Sequence, residues 1–327
     1  MLQTIILFIQ RAVVQGVPLL YGSTGEIITE KSGNLNLGIP GIMYVGGISG
    51  IIGAFFYERS TDVLNPFLGI AIPFICSLIG STLMALIYSF LTITLRANQN
   101  VTGLALTTFG IGLGNFFGGS MATLFGEGGS IAMTKTSLLF RAQLPFASKL
   151  GVFGDVFLSY GFMAYLAIAI AIISAFILSK TRVGLNLRSV GENPATADAA
   201  GISVNKYKYI ATCVGGAIAG LGGLYFIMDY TSGVWSNGGF GDRGWLAIAL
   251  VIFALWRPNM GILGSILFGG LYIIYLFIPG LDRSTQEIFK MLPYVVTIVV
   301  LVIISMRKRR ENQPPAHLGL SYFREDR

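Results

Sequence analysis

The chain has 327 residues, a formal net charge of +7, 54% hydrophobic residues and only 11% charged ones, against roughly 25% charged in ordinary soluble proteins. So few charges cannot cover a soluble fold of this length. The same numbers exclude disorder, and two cysteines exclude a disulfide-built secreted fold. What remains is an all-α, polytopic integral membrane bundle. In such a bundle the 43 glycines serve close helix packing, and the positive balance reports topology, not nucleic-acid binding.

A crossing helix needs about 20 mostly apolar residues. The first ten residues, MLQTIILFIQ, read as an interfacial helix or the start of the first span. They lack the basic flank and cleavage site of a secretory leader. Ala12 to Ile28 is a weak first span, broken by Pro18, Gly22 and Gly25. The next spans run over Asn36–Phe56, Pro66–Leu95, Val101–Gly119, Phe157–Leu178 and Tyr209–Met228. Leu246–Trp256 is a short seventh, followed by Gly261–Ile278 and Met291–Met306. The expected total is about nine, within a range of eight to ten. Residues 1–306 then form one transmembrane domain, with a long extracellular loop at 120–156, a cytoplasmic loop at 181–207 and a basic tail at 307–327. With the tail and the 181–207 loop inside, 14 Lys and Arg residues fall inside and 7 outside, Arg11 set apart. The 181–207 loop and the C-terminus are therefore expected in the cytoplasm, with the chain in the plasma (cell) membrane.

Four segments depart from lipid-facing patterning. Gly25 to Gly41 mixes charges, asparagines, glycines and a proline beside a span. Irregular backbone at membrane depth survives only against protein or a wet cavity. The segment reads as a broken or re-entrant helix whose Glu26, Asn34 and Asn36 face a substrate path, or as a plain capped turn. Arg96 to Gly103 opens the fourth span with a cluster of amides. Gln99 and Asn100 can bond polar cargo without a buried charge, or Asn100 is simply a helix cap. Gly184 to Ile202 holds a short helix with Asn193 as cap, Pro194 at its first position and Gly201 as stop. Its small side chains, Ala197 and Ala200 among them, suit docking into a partner's groove, or the segment is a plain connector. Asn237 to Trp245 is glycine-rich but lacks the Lys-Ser/Thr pair of a phosphate loop. It reads as a tight re-entrant turn in which Asp242 and Arg243 pair.

Glycines four apart, such as Gly46 with Gly50 and Gly216 with Gly220, read as packing faces. Cys76 and Cys213 have no metal-ligand partners, and the single histidine, His317, lies in the tail. No nucleotide-binding loop, hydrolytic triad or chain of acids through the span centres occurs. A transport subunit powered by a separate protein fits these absences best. It is not itself an enzyme.

Four blocks carry a resemblance. GEIITEKSGNLNLGIPGIMYVGG, LRANQNVTGLAL, GLNLRSVGENPATADAAGISVNKYK and RGWLAIALVIFALWRPNMGILGSILFG occur in order from about Leu20 to Phe268. Together they resemble the permease subunits of ABC transporters in the simple-sugar and nucleoside branch of the branched-chain amino acid/ribose-type superfamily. The ANQ block favours the nucleoside permeases. Pro40 departs from the acidic residue common there, and Asn34 from an aliphatic one. The resemblance implies an importer built with an ABC ATPase, a second homologous permease and an extracellular lipoprotein that delivers substrate. It implies that ATP and Mg are used by the ATPase, with no cofactor or metal held by this chain. It makes Arg188, Gly191, Glu192, Pro194, Ala197, Ala200 and Gly201 part of the ATPase-coupling loop. Nucleoside is the expected cargo. A simple sugar such as a pentose, or a stand-alone ion-coupled carrier, are the alternatives.

Overall fold

The computed structural model describes residues 2–124, 131–143, 150–307 and 313–323. These form helices α1 (Leu2–Glu30), α2 (Ile39–Ser60), α3 (Pro66–Ser89), α4 (Gln99–Leu124), α5 (Thr134–Phe140), α6 (Gly151–Phe157) and α7 (Phe162–Lys180). They continue as α8 (Arg182–Glu192), α9 (Pro194–Ala199), α10 (Val204–Tyr225), α11 (Arg243–Phe253), α12 (Pro258–Ile273), α13 (Arg283–Lys290) and α14 (Leu292–Arg307). One isolated bridge, Ala132 with Val234, is the extended pairing among the described residues.

Eight helices among the described residues are long and apolar enough to cross a membrane. Of the nine expected spans the one that falls short is α11, whose 11 residues rise roughly 16 Å, about half of a hydrocarbon core. The first ten residues are not a separate interfacial helix: they continue into α1 through Pro18, giving one helix of 29 residues. Helix α1 also runs on to Glu30, so the break is shorter than the sequence indicated, covering residues 31–38 between α1 and α2. Helices α3 and α10 each end in a π-turn, Phe90–Thr94 and Phe226–Tyr230. The expected 120–156 loop contains the end of α4 plus α5 and part of α6, with 125–130 and 144–149 outside the described residues.

Helices α1, α2 and α10 form the core, because small residues let their backbones meet. A Cβ placed at Gly25 would lie 2.2 Å from the Gly215 carbonyl oxygen, and one at Gly46 would lie 2.5 Å from the Gly220 Cα. The Ser77 hydroxyl of α3 donates to the Gly220 carbonyl at 3.2 Å. The exposed faces of α3, α4, α12 and α14 carry large apolar side chains such as Phe67, Ile79, Phe109, Leu263 and Ile298. That is the covering lipid requires.

The basic run Lys308–Arg310 lies outside the described residues. Residues 313–323, expected as a polar tail, fold back onto the bundle at the end where α8 and α9 lie. The His317 amide donates to the Gly191 carbonyl at 3.0 Å and the Gly319 amide to the Gly33 carbonyl at 3.2 Å. Leu318 packs against the apolar cluster that includes Ile27, Leu178 and Val251.

Candidate translocation path and coupling surface

Helix α1 stops because Ser32 and Gly33 close tight turns onto Thr29 and Glu30, with Gly33 at φ +86. Breaking a helix at this depth frees backbone groups that need partners, and polar side chains supply them. A Glu26 carboxylate oxygen accepts from the Asn36 amide at 2.9 Å, and Asn36 Oδ1 caps the Gly38 amide at 2.9 Å. Gln99 Oε1 accepts from the Leu35 amide at 2.7 Å, while the Tyr88 hydroxyl donates to the Leu35 carbonyl. Thr107 donates to the Leu37 carbonyl at 2.7 Å. Asn34 Nδ2 donates to the Thr212 hydroxyl at 3.2 Å, and the Trp256 indole donates to the Glu30 carboxylate.

Glu26, Asn34, Asn36 and Gln99 thus come together, as their sequence positions alone did not require, and all four are buried. Asn34 Oδ1 and Asn36 Nδ2 are buried without a partner. Asn100 stands apart, exposed on the first turn of α4. It is not the cap there: Asn98 Oδ1 accepts from the Val101 amide at 3.1 Å, so the cap is Asn98.

The α8–α9 segment has the local structure its residues dictate. Asn193 Oδ1 accepts from the Thr196 amide at 3.0 Å, Pro194 opens α9, and Gly201 ends it at φ +81. Ala197 does not face outward, contrary to a docking role for its side chain. It is 3% exposed and packs with Val190 and Val204. Gly191 and Pro194 are buried too, whereas Arg188, Glu192, Ala200 and Gly201 are exposed. A Cβ at Gly191 would sit 2.3 Å from the Lys31 carbonyl oxygen, so α8 rests directly on the turn that ends α1. The tail braces the same segment: the Tyr322 hydroxyl donates to Asp198 at 2.9 Å and the Ala316 amide to Glu192 at 3.4 Å. It also reaches α4, where Gln99 Nε2 donates to the Leu320 carbonyl at 3.3 Å. Burial pushes the Lys31 ammonium below its usual range; Glu192 counteracts, and Arg188 and Arg257 push it further down. Burial, with help from Lys208, likewise lowers His317.

A second polar and aromatic constellation lies on α2, α4 and the segment before α11. Tyr44 shares a hydrogen bond with Asn115 and accepts from the Gly238 amide at 2.9 Å. The Trp235 indole donates to Asn237 at 2.9 Å. The ring of Tyr44 meets those of Trp235 and Phe240 edge-on, with centroids 5.1 and 6.3 Å apart. The space between them is about 10 Å³, room for a single water, so these rings are packed shut. Ser236 to Gly239 remain exposed beside them. Along α4, Ala105, Thr108 and Gly112 are exposed and Asn115 is half-buried. At helical spacing these fall on one face, a small and polar stripe on a side otherwise apolar.

Sequence reading missed this second constellation. Its signal was an amide, Asn115, toward the end of an apolar span, and Trp235 two residues before Asn237. The Asn237–Trp245 stretch, expected as a tight turn before a short span, is a turn as far as Asp242 and then the first turn of α11. The expected pairing of Asp242 with Arg243 does not describe the guanidinium. Arg243 donates to the Phe240 carbonyl at 2.9 Å and to Gln15 at 3.3 Å, and lies 4.5 Å over the Phe226 ring. Among the described residues no group of three or more His, Cys, Asp or Glu side chains could hold a metal.

Residues 8–301 match the family described as branched-chain amino acid transport system / permease component. The chain is 31% identical to the nucleoside ABC transporter permease protein NupC of Lactococcus lactis subsp. cremoris over 92% of each chain. It is 30% identical to the guanosine ABC transporter permease protein NupQ of Bacillus subtilis, over 91% of this chain and 92% of that one. It is 31% identical to the putative glucose ABC transporter permease protein TsgC13 of Haloferax volcanii over 94% of each. A bundle of eight long apolar helices, a helix broken beside buried amides, and a match over nearly the whole length agree: the chain belongs to the ABC-transporter permease family of the branched-chain amino acid transport system type.

Proposed function

We propose that the chain is the permease subunit of an ATP-driven importer that carries nucleosides across the plasma membrane. The observation that carries the cargo is the similarity to two nucleoside permeases over more than nine-tenths of each chain. The constellation around Tyr44 supports it. Rings offer faces and edges for a base, and Asn115 and Asn237 offer both donors and acceptors to base edges and ribose hydroxyls. The aromatic packing must open before cargo enters, which suits alternating access. In this reading the α8–α9 end is cytoplasmic and docks the ATPase, a second permease completes the path, and an extracellular lipoprotein hands over the substrate. ATP and Mg are bound by the ATPase. When the ATPase moves α9, the contact of Gly191 with Lys31 carries the displacement to the break after α1.

The test is labelled nucleoside uptake by the reconstituted complex, competed by unlabelled nucleosides, pentoses and glucose. Nucleosides should compete and sugars should not. The similarity to the archaeal permease named for glucose favours a second reading, a sugar cargo, and competition by sugars alone would establish it. Uptake driven by an ion gradient through this chain alone, without an ATPase, would overturn both.

A further inference from the structure

A groove of about 760 Å³ runs between α7 and α10, with Ile28 of α1 in its lining. Both α7 and α10 are long and apolar enough to cross a membrane. Ile173 and Ile177 of α7 and Ile210 and Val214 of α10 line it, and each keeps 40–55% of its surface exposed. Along α10 the lining extends from Lys206 to Ile218, a rise of roughly 18 Å, little more than half of a hydrocarbon core of about 30 Å. Beyond Ile218 the gap closes: Ala164 and Ala167 of α7 and Ala219 of α10 are buried in one apolar cluster. Apart from the buried Ser174, the polar lining residues gather at one end, where α8 and the link into α10 meet. Lys206 and Ser203 are exposed there. Asn186 Nδ2 donates to the Tyr207 hydroxyl at 2.8 Å, so that hydroxyl keeps its own proton to donate. No acidic residue is in the lining, and Lys206 has no ion-pair partner among the described residues.

An empty groove forfeits the dispersion contacts of its lining, so in a membrane something apolar lies in it. A spanning helix of a second protein would need a furrow through the whole core, and this one closes after about one leaflet. A lipid chain anchored at one surface has the matching form: apolar to the depth of one leaflet and polar at a single end. Lipid tails are as apolar as the isoleucines that face them, so a tail gains little by leaving the bulk bilayer. Selective retention has to come from the headgroup. The Lys206 ammonium and the hydroxyls of Ser203 and Tyr207 are hydrogen-bond donors with no carboxylate beside them in the lining, a set that complements a phosphate. Lys180 and Arg182 are exposed at the junction of α7 and α8, next to Val183 of the lining, and add to the positive field at that surface.

We infer that this groove holds one acyl chain of an anionic phospholipid, with its phosphate on Lys206, Ser203 and Tyr207. Gly201 and Ile202, which link α9 to α10, line the same end, so the bound lipid touches the segment proposed to dock the ATPase. That the lipid belongs to the cytoplasmic leaflet rests on the orientation proposed above. Retention by the purified chain is measured without transport, so failure of one proposal is distinguishable from failure of the other.

The experiment uses the full chain in nanodiscs of equal parts phosphatidylcholine and phosphatidylglycerol. Lipid retained on the chain is identified and counted by native mass spectrometry. The wild type should keep phosphatidylglycerol in preference to phosphatidylcholine. Lys206→Gln should lower that preference about fivefold, the contribution of one basic side chain at a membrane surface. Val214→Trp, which fills the groove from an exposed position, should lose the retained lipid of either kind. Phe109→Trp, on the exposed apolar face of α4, should keep it. No retained lipid, equal retention of the two lipids by the wild type, or a retention pattern unchanged in either groove variant overturns the proposal. So does a dimer of this chain that disappears in Val214→Trp, because a second copy then covers the groove. Circular dichroism establishes that the helices of each variant are intact. The preference read in Lys206→Gln is a ratio within one sample, which the folded fraction does not alter.

Discussion

Two regions of this bundle hold amides next to aromatic rings, and they use them in opposite ways. Around the break after α1, Glu26, Asn36 and Gln99 accept from the amides of residues 35 to 38, while Tyr88 and Thr107 donate to their carbonyls. Around Tyr44, Asn115 and Asn237 bond mainly to other side chains, Tyr44 and Trp235, beside exposed residues. A polar side chain committed to a broken backbone holds architecture, because removing it strands a buried amide. One bonded to another side chain at an exposed edge can exchange that partner for cargo. Polarity near a span therefore does not by itself mark a path; where the hydrogen bonds go decides.

The largest effect should come from Gly191→Ala, at the junction that joins α8 to the first region. The added Cβ meets the Lys31 carbonyl oxygen at 2.3 Å, backbone against backbone, so about 1–3 kcal/mol of overpacking is expected. Lower melting temperature and loss of ATP-driven uptake should appear together; a variant with wild-type melting and uptake would show that the junction transmits nothing. Next is Asn36→Ala, which leaves the Gly38 amide uncapped, a loss of about 0.5–2 kcal/mol. Its melting should fall while the affinity for nucleoside in the folded fraction is unchanged. Weakened affinity at unchanged melting would move the path to the first region and reverse the comparison. The smallest effect on stability should come from Tyr44→Phe, which keeps the ring and loses the bonds to Asn115 and Gly238. Here the half-saturating nucleoside concentration for uptake should rise by up to about tenfold, the worth of a hydrogen bond or two, with melting nearly unchanged. An unaltered uptake curve would remove Tyr44 from the path.

The same logic sorts the small residues of α9. Ala200 is exposed and Ala197 is packed against Val190 and Val204. Ala200→Trp should abolish co-purification with the ATPase while the chain stays folded, and Ala197→Trp should disturb the chain's own packing first. The residues indicated a short capped helix of alanines; they could not tell which alanine faced outward, since six residues make fewer than two turns and the segment has no strong apolar period.

Much of the architecture followed from local composition. Long apolar runs must be helices in lipid, because a spanning helix satisfies its own backbone. Asn193, Pro194 and Gly201 set the ends of α9 through bonds and dihedrals within a few residues. The ordered blocks from Gly25 to Phe268 carried the family, and residues 8–301 match it. Other features depended on contacts distant in sequence. The extension of α1 to Glu30 places Glu26 within reach of Asn36 and Glu30 within reach of Trp256. The tail's place against Gly33, Gly191 and Gln99 joins segments more than 100 residues away. Tyr44, Asn115 and Trp235 meet only because α2, α4 and the segment before α11 pack side by side. Apolar periodicity and capping are written within one or two helical turns, so the sequence by itself determined the helices and the class. Which polar group answers which is fixed only when helices approach to hydrogen-bond distance, so the tertiary structure alone decided the polar contacts at the break after α1, the place of the tail and the cluster of aromatics around Tyr44.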